Sequence, residues 1–164
     1  MIRRNLLAAV SAALLALPAV ALARDIGTPS GPVVLTVTDA AGGSWTFDRA
    51  MLEGLGWQTI TTVTPFTEGP QEFAGIPLSA LAEATGAQGT VIEAVAINDY
   101  SAQIPAAHMA EHDVFLALDH NGEAMRVRDR GPVWIIYPSD TVDDAADRFD
   151  SNMVWQLREL NFRP

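Results

Sequence analysis

From residue 33 onward, short β-branched or alternating segments are cut apart by Gly, Pro, Asn and Asp. That rhythm constrains the fold more than any other feature, because short segments between tight turns suit strands and one-turn or two-turn helices. Residues 33–40 (VVLTVTDA) alternate and read as a strand; AGGS turns the chain into WTFD, its hairpin partner. Asp48 is placed to cap a short helix, RAMLEGLG, with Met51, Leu52 and Leu55 on one face and Gly56 as its stop. Residues 57–64 (WQTITTVT) return to strand character. Residues 65–77, with two Gly and three Pro, read as a long loop and so as a candidate functional segment.

Residues 79–86 (SALAEATG) read as a helix ended by Gly86, and the apolar residues 90–99 as a buried strand. Pro105 is expected to open a helical turn through AAHMAEHD. VFLALD, the turn HNGE and AMRVRD read as a hairpin, and residues 131–138 as an apolar strand closed by Pro138. TVDDAADRF reads as helical, while NMVWQLREL suits helix or strand. Strands outnumber helices and short turns join them. The expected class is α+β, with a mixed or antiparallel sheet and short helices.

The two ends of the sequence differ in kind. Residues 1–23 combine Arg3 and Arg4, an apolar run, Pro18 and the small-residue ending Ala21-Leu22-Ala23. This is the pattern of a signal peptide cleaved after Ala23, with an uncleaved membrane anchor as the rival reading. Residues 24–32 then form a flexible lead-in and 33–164 a single globular domain, periplasmic or secreted. Two of the ten basic residues leave with the leader, so eight arginines face 20 acidic residues, a net charge of −12. Such a surface repels nucleic acid and anionic lipid, so neither is an expected partner. The chain has no Cys. Disulfides, thiolate nucleophiles, Cys-ligated zinc and iron–sulfur clusters are therefore excluded.

Several residue groups could carry chemistry. HMAEH places His108 and His112 four apart with Glu111 between, the H-x-x-E-H pattern, so a helix would aim both imidazoles at one metal; an exposed polar helix is the alternative. Arg126, Arg128 and Arg130 would share one face of a strand and suit an anion or a partner's acidic edge; a solvated face paired with carboxylates is the alternative. Asn98, Asp99 and Tyr100 end a buried strand, where they shape a turn or line a ligand site. Trp45, Trp57, Trp134 and Trp155 read as core rather than a stacking platform. Asp140, Asp143, Asp144, Asp147 and Asp150 lack calcium-loop spacing and read as a solvated helix face.

Four segments, in order, resemble the molybdopterin-binding domain of the sulfite oxidase type. FTEGPQEFAGIPLSALAEATGA is similar to the stretch where a metal-ligand Cys and an "EGW" segment precede a "G-x-P-L-x-x-L-L" helix start. AVAINDYSAQIP resembles the strand and "D-G-Y" turn that follow, VFLALDHNGEAMRVRDRGPVWIIYP the hairpin and "G-x-P-x-R" strand, and MVWQLREL the closing segment. The resemblance implies that fold, and a molybdopterin cofactor whose metal a Cys thiolate binds. Aligned on Glu68-Gly69, Phe66 takes the place of that Cys, Pro70 replaces the Trp, and Trp134 stands near a position that often carries Arg. Phenylalanine cannot ligate a metal.

The expectation is a non-catalytic binding or accessory module that holds no cofactor, with a pterin phosphate on the Arg row as the softer possibility. Its candidate ligand site is Phe66, Glu68, Asn98, Asp99, Tyr100, Arg128, Arg130 and Trp134. The expected occupant is a small anionic ligand or a periplasmic protein partner. A molybdopterin-dependent oxidoreductase with an unconventional metal shell and a metal-binding protein built on His108 and His112 are the alternatives.

Overall fold

The computed structural model describes residues 26–141, 143 and 149–164. The expected leader lies outside the described residues, as does most of the expected TVDDAADRF helix. Local signals build the first third of the domain. Strand β1 (Leu35–Thr38) turns Leu35 and Val37 inward and pairs antiparallel with β2 (Ser44–Phe47), whose Trp45 and Phe47 face the same side. Asp39 Oδ1 accepts the Gly43 N–H at 2.7 Å and so closes the turn. Asp48 caps α1 (Arg49–Glu53): Oδ1 accepts the Met51 N–H at 2.9 Å. Its Oδ2 accepts the N–H groups of Ser30 and Gly31 at 2.7 and 2.8 Å, which fastens that preceding segment to the helix start. The helix stops at Gly54 rather than at Gly56.

The expected loop over residues 65–77 is half strand. Strand β3 (Gln58–Thr62) pairs antiparallel with β4 (Gln71–Pro77), so only the stretch before Gln71 is loop. Gly75 is the reason a loop reading fails. A Cβ there would land on the Leu116 carbonyl, at a register shift between Ala74 and Gly75 where β4 meets its second neighbour, β7 (Phe115–His120). The glycine serves a bulge with close backbone approach, and Pro70 and Pro77 flank the strand instead of interrupting it. Helix α2 (Leu78–Thr85) follows directly, buries Leu78, Leu81 and Thr85, and ends on Gly86 at φ +72°.

Strand β5 (Val91–Ala96) buries one face only, through Ile92, Ala94 and Ala96. Expected as a fully buried strand, it belongs to a sheet with core on one side. A turn over Asn98 and Asp99 leads to β6 (Ser101–Pro105), an edge strand. Pro105 therefore closes a strand rather than opening a helix, as an edge permits. Helix α3 is one turn, His108–Glu111.

Strand β7 turns through Asn121 and Gly122, both at positive φ (52° and 79°), into the two-residue strand β8 (Glu123–Ala124). There the expected hairpin ends. Val127–Asp129 form a 3₁₀ turn, with the Asp129 and Gly131 N–H groups both bonded to the Arg126 carbonyl at 2.7 and 2.9 Å. The three arginines thus sit on a turn, not on a strand face, and make no row. Strand β9 (Trp134–Ile136) is wholly buried against β7, and a 3₁₀ turn, Asp150–Asn152, precedes β10 (Leu157–Arg163).

Two five-stranded sheets result. One runs β2-β1-β10-β5-β6, mixed because β1 and β10 are parallel. The other runs β3-β4-β7-β8, with β9 also on β7. A large core (Leu35, Ile92, Leu116, Ile135, Leu160 and neighbours) fills one side of the second sheet. A smaller cluster of Phe73, Phe115, Met125, Trp134 and Ile136 covers the other. The class is α+β with short helices, as expected. Among the described residues no helix is long and apolar enough to cross a membrane.

Candidate functional site

Three segments far apart in sequence meet at a cleft of about 310 Å³. The β3–β4 loop contributes Phe66; the β5–β6 turn contributes Ala96, Asn98 and Tyr100; the approach to β10 contributes Asp150, Ser151, Met153, Val154 and Trp155. Hydrogen bonds fix the walls. Thr64 Oγ1 accepts the Phe66 N–H at 3.2 Å, Asn98 Oδ1 accepts the Tyr100 N–H at 3.2 Å, and the Tyr100 hydroxyl donates to the Ser151 carbonyl at 2.8 Å. Asn152 Nδ2 ties its turn to β6 through the Gln103 carbonyl at 3.0 Å.

Beneath the cleft lies an aromatic and cationic cluster. The Phe66 ring meets Trp155 edge-on, centroids 4.9 Å apart, and tilts against Trp134 at 6.3 Å. Arg130 holds φ +71° and donates from Nη2 to the Phe66 carbonyl at 3.0 Å. Its guanidinium carbon lies 5.1 Å from the Trp134 ring centroid and 5.7 Å from that of Trp155. Trp134 is fully buried and donates Nε1–H to the Met153 carbonyl at 3.1 Å, so it is floor rather than lining. His120 sits behind, against Phe73; burial first, and the Arg130 charge second, push its imidazole below the usual histidine range.

The structure brings Phe66, Asn98 and Tyr100 together on this cleft, with Trp134 and Arg130 under it. It leaves three expected residues outside. Glu68 is exposed on the loop. Asp99 turns away into an ion pair with Arg158 at 2.9 Å. Arg128 stands in solvent, 71% of its side chain exposed and 3.7 Å from Asp129. Asp150, Ser151, Met153 and Trp155 were not among the expected site residues. Trp155, assigned to the core by composition, is 36% exposed and forms the rim. Exposed Tyr100 lies across from it; exposed Ile97 and Val127 stand close by, each hydrogen-bonded to Gln156 through its backbone.

His108, which opens α3, and His112, which caps its end, lie elsewhere, beside Tyr137 and Phe149. Of the expected acidic face, Asp144 and Asp147 fall outside the described residues.

The residues at the cleft do not fit a molybdopterin held in the usual way. Phe66, which the resemblance aligns with the metal-ligand Cys, offers only ring carbons, and the chain has no thiol anywhere. A pterin phosphate needs cations or free N–H groups. No basic side chain lines the cleft among the described residues; the one acidic residue among its lining residues is Asp150. Arg130 is already spent on Phe66 and the two indoles.

Comparison with known proteins places this architecture. No curated protein matches the chain. Matching solved structures include the sulfane dehydrogenase SoxCD from Paracoccus pantotrophus, at a TM-score of 0.60 and 22% identity over 79% of this chain. The match covers 37% of that chain, so this protein spans well under half its length, and the likeness is one of fold. The family model for the oxidoreductase molybdopterin-binding domain matches residues 40–141, more than half of the sequence. The chain belongs to the oxidoreductase molybdopterin-binding domain family.

Proposed function

We propose that this protein is an exported, non-catalytic binding or accessory module that uses the molybdopterin-binding fold as a docking scaffold. One observation carries the reading: where the family's metal ligand would stand, Phe66 packs edge-on against Trp155 and supports the cleft. The group is hydrocarbon, so it serves packing and recognition rather than metal coordination. The occupant is a periplasmic protein partner rather than a small anion. An apolar rim of Tyr100, Trp155 and Ile97 around one carboxylate suits an apolar side chain with a neighbouring cationic one. It offers an anion nothing. Export rests on the leader pattern of residues 1–23.

The test is cofactor loading in a host that makes and exports molybdopterin enzymes. Molybdenum in the purified protein is measured by mass spectrometry, and pterin by oxidation to its fluorescent form. Traces far below one per chain are expected for both. Stoichiometric molybdenum would overturn the reading in favour of an oxidoreductase with an unconventional metal shell. In the same host, a photo-crosslinking residue at Tyr100 should trap a discrete partner that one at Thr59, exposed on β3, does not. Equal trapping at both positions would dismiss the cleft as the docking face.

A further inference from the structure

The one-turn helix α3 holds a cluster that the cleft does not use. His108, Glu111 and His112 each present one ligand atom, and these atoms all lie within 4.8 Å of one another. His108 and Glu111, at i and i+3, share one face of the turn, and His112 is its C-cap, with its N–H bonded to the His108 carbonyl at 3.0 Å. Donor atoms around a tetrahedral first-row metal stand about 3.3 Å apart at bond lengths near 2.0–2.2 Å. Modest side-chain rotation closes that gap with the backbone in place.

What surrounds the cluster is as telling as the cluster. His108 Nδ1 lies 3.0 Å from the Tyr137 hydroxyl. In the tautomer whose Nδ1–H donates to that hydroxyl oxygen, the other nitrogen, Nε2, is free to ligate a metal, and metal at Nε2 would favour that tautomer. Tyr137 and Phe149 stack at 4.5 Å and 13° and make a wall for both imidazoles. His108 meets Phe149 at 5.3 Å, and His112 meets it at 4.6 Å. Both histidines are half-buried while Glu111 is exposed, so an ion reaches the site from solvent.

We propose that His108, through Nε2, with Glu111 and His112, binds one divalent transition-metal ion of the Zn²⁺ class. Tyr137 acts as a positioning residue. Two imidazoles and one carboxylate select Zn²⁺ or Cu²⁺ over Ca²⁺ and Mg²⁺, which prefer all-oxygen shells. Three protein ligands on one turn leave a position for water or for a donor from a bound partner. This site is independent of the cleft and of any molybdenum.

The test is calorimetric titration of the untagged, chelator-treated protein with zinc chloride alone. One saturable site per chain is expected. His108→Ala and His112→Ala should each weaken binding tenfold or more. Tyr137→Phe, which keeps the ring and removes the hydroxyl, should weaken it about tenfold. His120→Ala should bind as the parent does, because its ring is engaged elsewhere on β7, stacked on Phe73 and 3.1 Å from Gln71 Oε1. In the unmodified protein, zinc should shift the ring-proton NMR signals of His108 and His112 and leave those of His120 in place. That readout does not depend on any variant folding. Absence of a saturable site, zinc shifts confined to His120, or undiminished binding in both alanine variants would overturn the proposal.

Discussion

Arg130 lies beneath the cleft, and the structure gives it work inside the protein: it bonds the Phe66 carbonyl and lies over two indoles. Replacing it with Gln tests that assignment. The substitution removes a charge-assisted hydrogen bond to the Phe66 carbonyl, a bond class that contributes about 1.5–3 kcal/mol. It also removes cation–π contacts to Trp134 and Trp155, at about 0.5–1 kcal/mol each for a partly exposed site. These contacts share one guanidinium and do not add fully, so the expected loss is about 2–3 kcal/mol. For a domain of this size that is a fall in Tm of roughly 5–10 °C. Urea unfolding followed by tryptophan fluorescence measures it directly, since both indoles touch the group removed. Pairing R130Q with Trp155→Leu should give a coupling of about 0.5–1.5 kcal/mol in a double-mutant cycle. A loss within 0.5 kcal/mol, or strict additivity, would show the guanidinium to be solvated. A rise in parent Tm with millimolar pyrophosphate that vanishes in R130Q would refute the assignment from the other side, by showing Arg130 available to an anion.

Three further outcomes follow from other parts of the molecule. Gly75→Ala drives a methyl group onto the Leu116 carbonyl, where only backbone could yield; it should cost about 2–4 kcal/mol in urea unfolding. Asp48 is held below its ordinary value of 3.8, first by the Met51 N–H and then by the Gly31 N–H. A depressed carboxylate stabilises the native state above its unfolded value and loses that contribution as pH falls through the native one, so the stability gap between parent and Asp48→Asn should shrink from about pH 5 downward. Phe66→Cys introduces a thiol where the resemblance aligns the metal ligand but adds no cation to the cleft wall; molybdenum by mass spectrometry should stay far below one per chain.

What the sequence discloses depends on how far apart the cooperating residues lie. Asp48 as a cap, Gly86 as a helix stop and Asn121-Gly122 as a hairpin turn are local devices, and each is where the residue pattern puts it. Gly75 misleads because a glycine between prolines is the common signature of a loop. Here the demand for glycine comes from Leu116, some forty residues on along the chain. The same distance defeats the arginine row. Alternation in MRVRDR resembles a strand, yet among the described residues no strand pairs with it beyond Ala124, and the chain satisfies its backbone in a 3₁₀ turn while Arg130 swings in beneath Phe66. The cleft itself was half legible. Phe66 is marked by the family resemblance, and Asn98 and Tyr100 by their place at a strand end, whereas Asp150 and Trp155 carry no local mark that sets them apart. Trp155 becomes a rim only because the chain crosses in front of Phe66 before entering β10.

The same geometry bears on what the fold can be used for. Phe66 stands on the loop between β3 and β4, at the position that the sequence resemblance aligns with the family's metal-ligand Cys. A ring at this point does two things that a thiolate would not. It contributes apolar contact to both core clusters, and it gives Trp155 a perpendicular face to rest on. Arg130 then closes the arrangement by holding the Phe66 carbonyl while lying over both indoles. The four residues depend on one another, so no single replacement converts this cleft into a metal pocket: removing Phe66 strips Trp155 of its support, and freeing Arg130 for a phosphate releases the loop that Phe66 stands on. Under the docking role we propose, this wiring suits a partner that presses on the aromatic rim better than a cofactor that must enter beneath it.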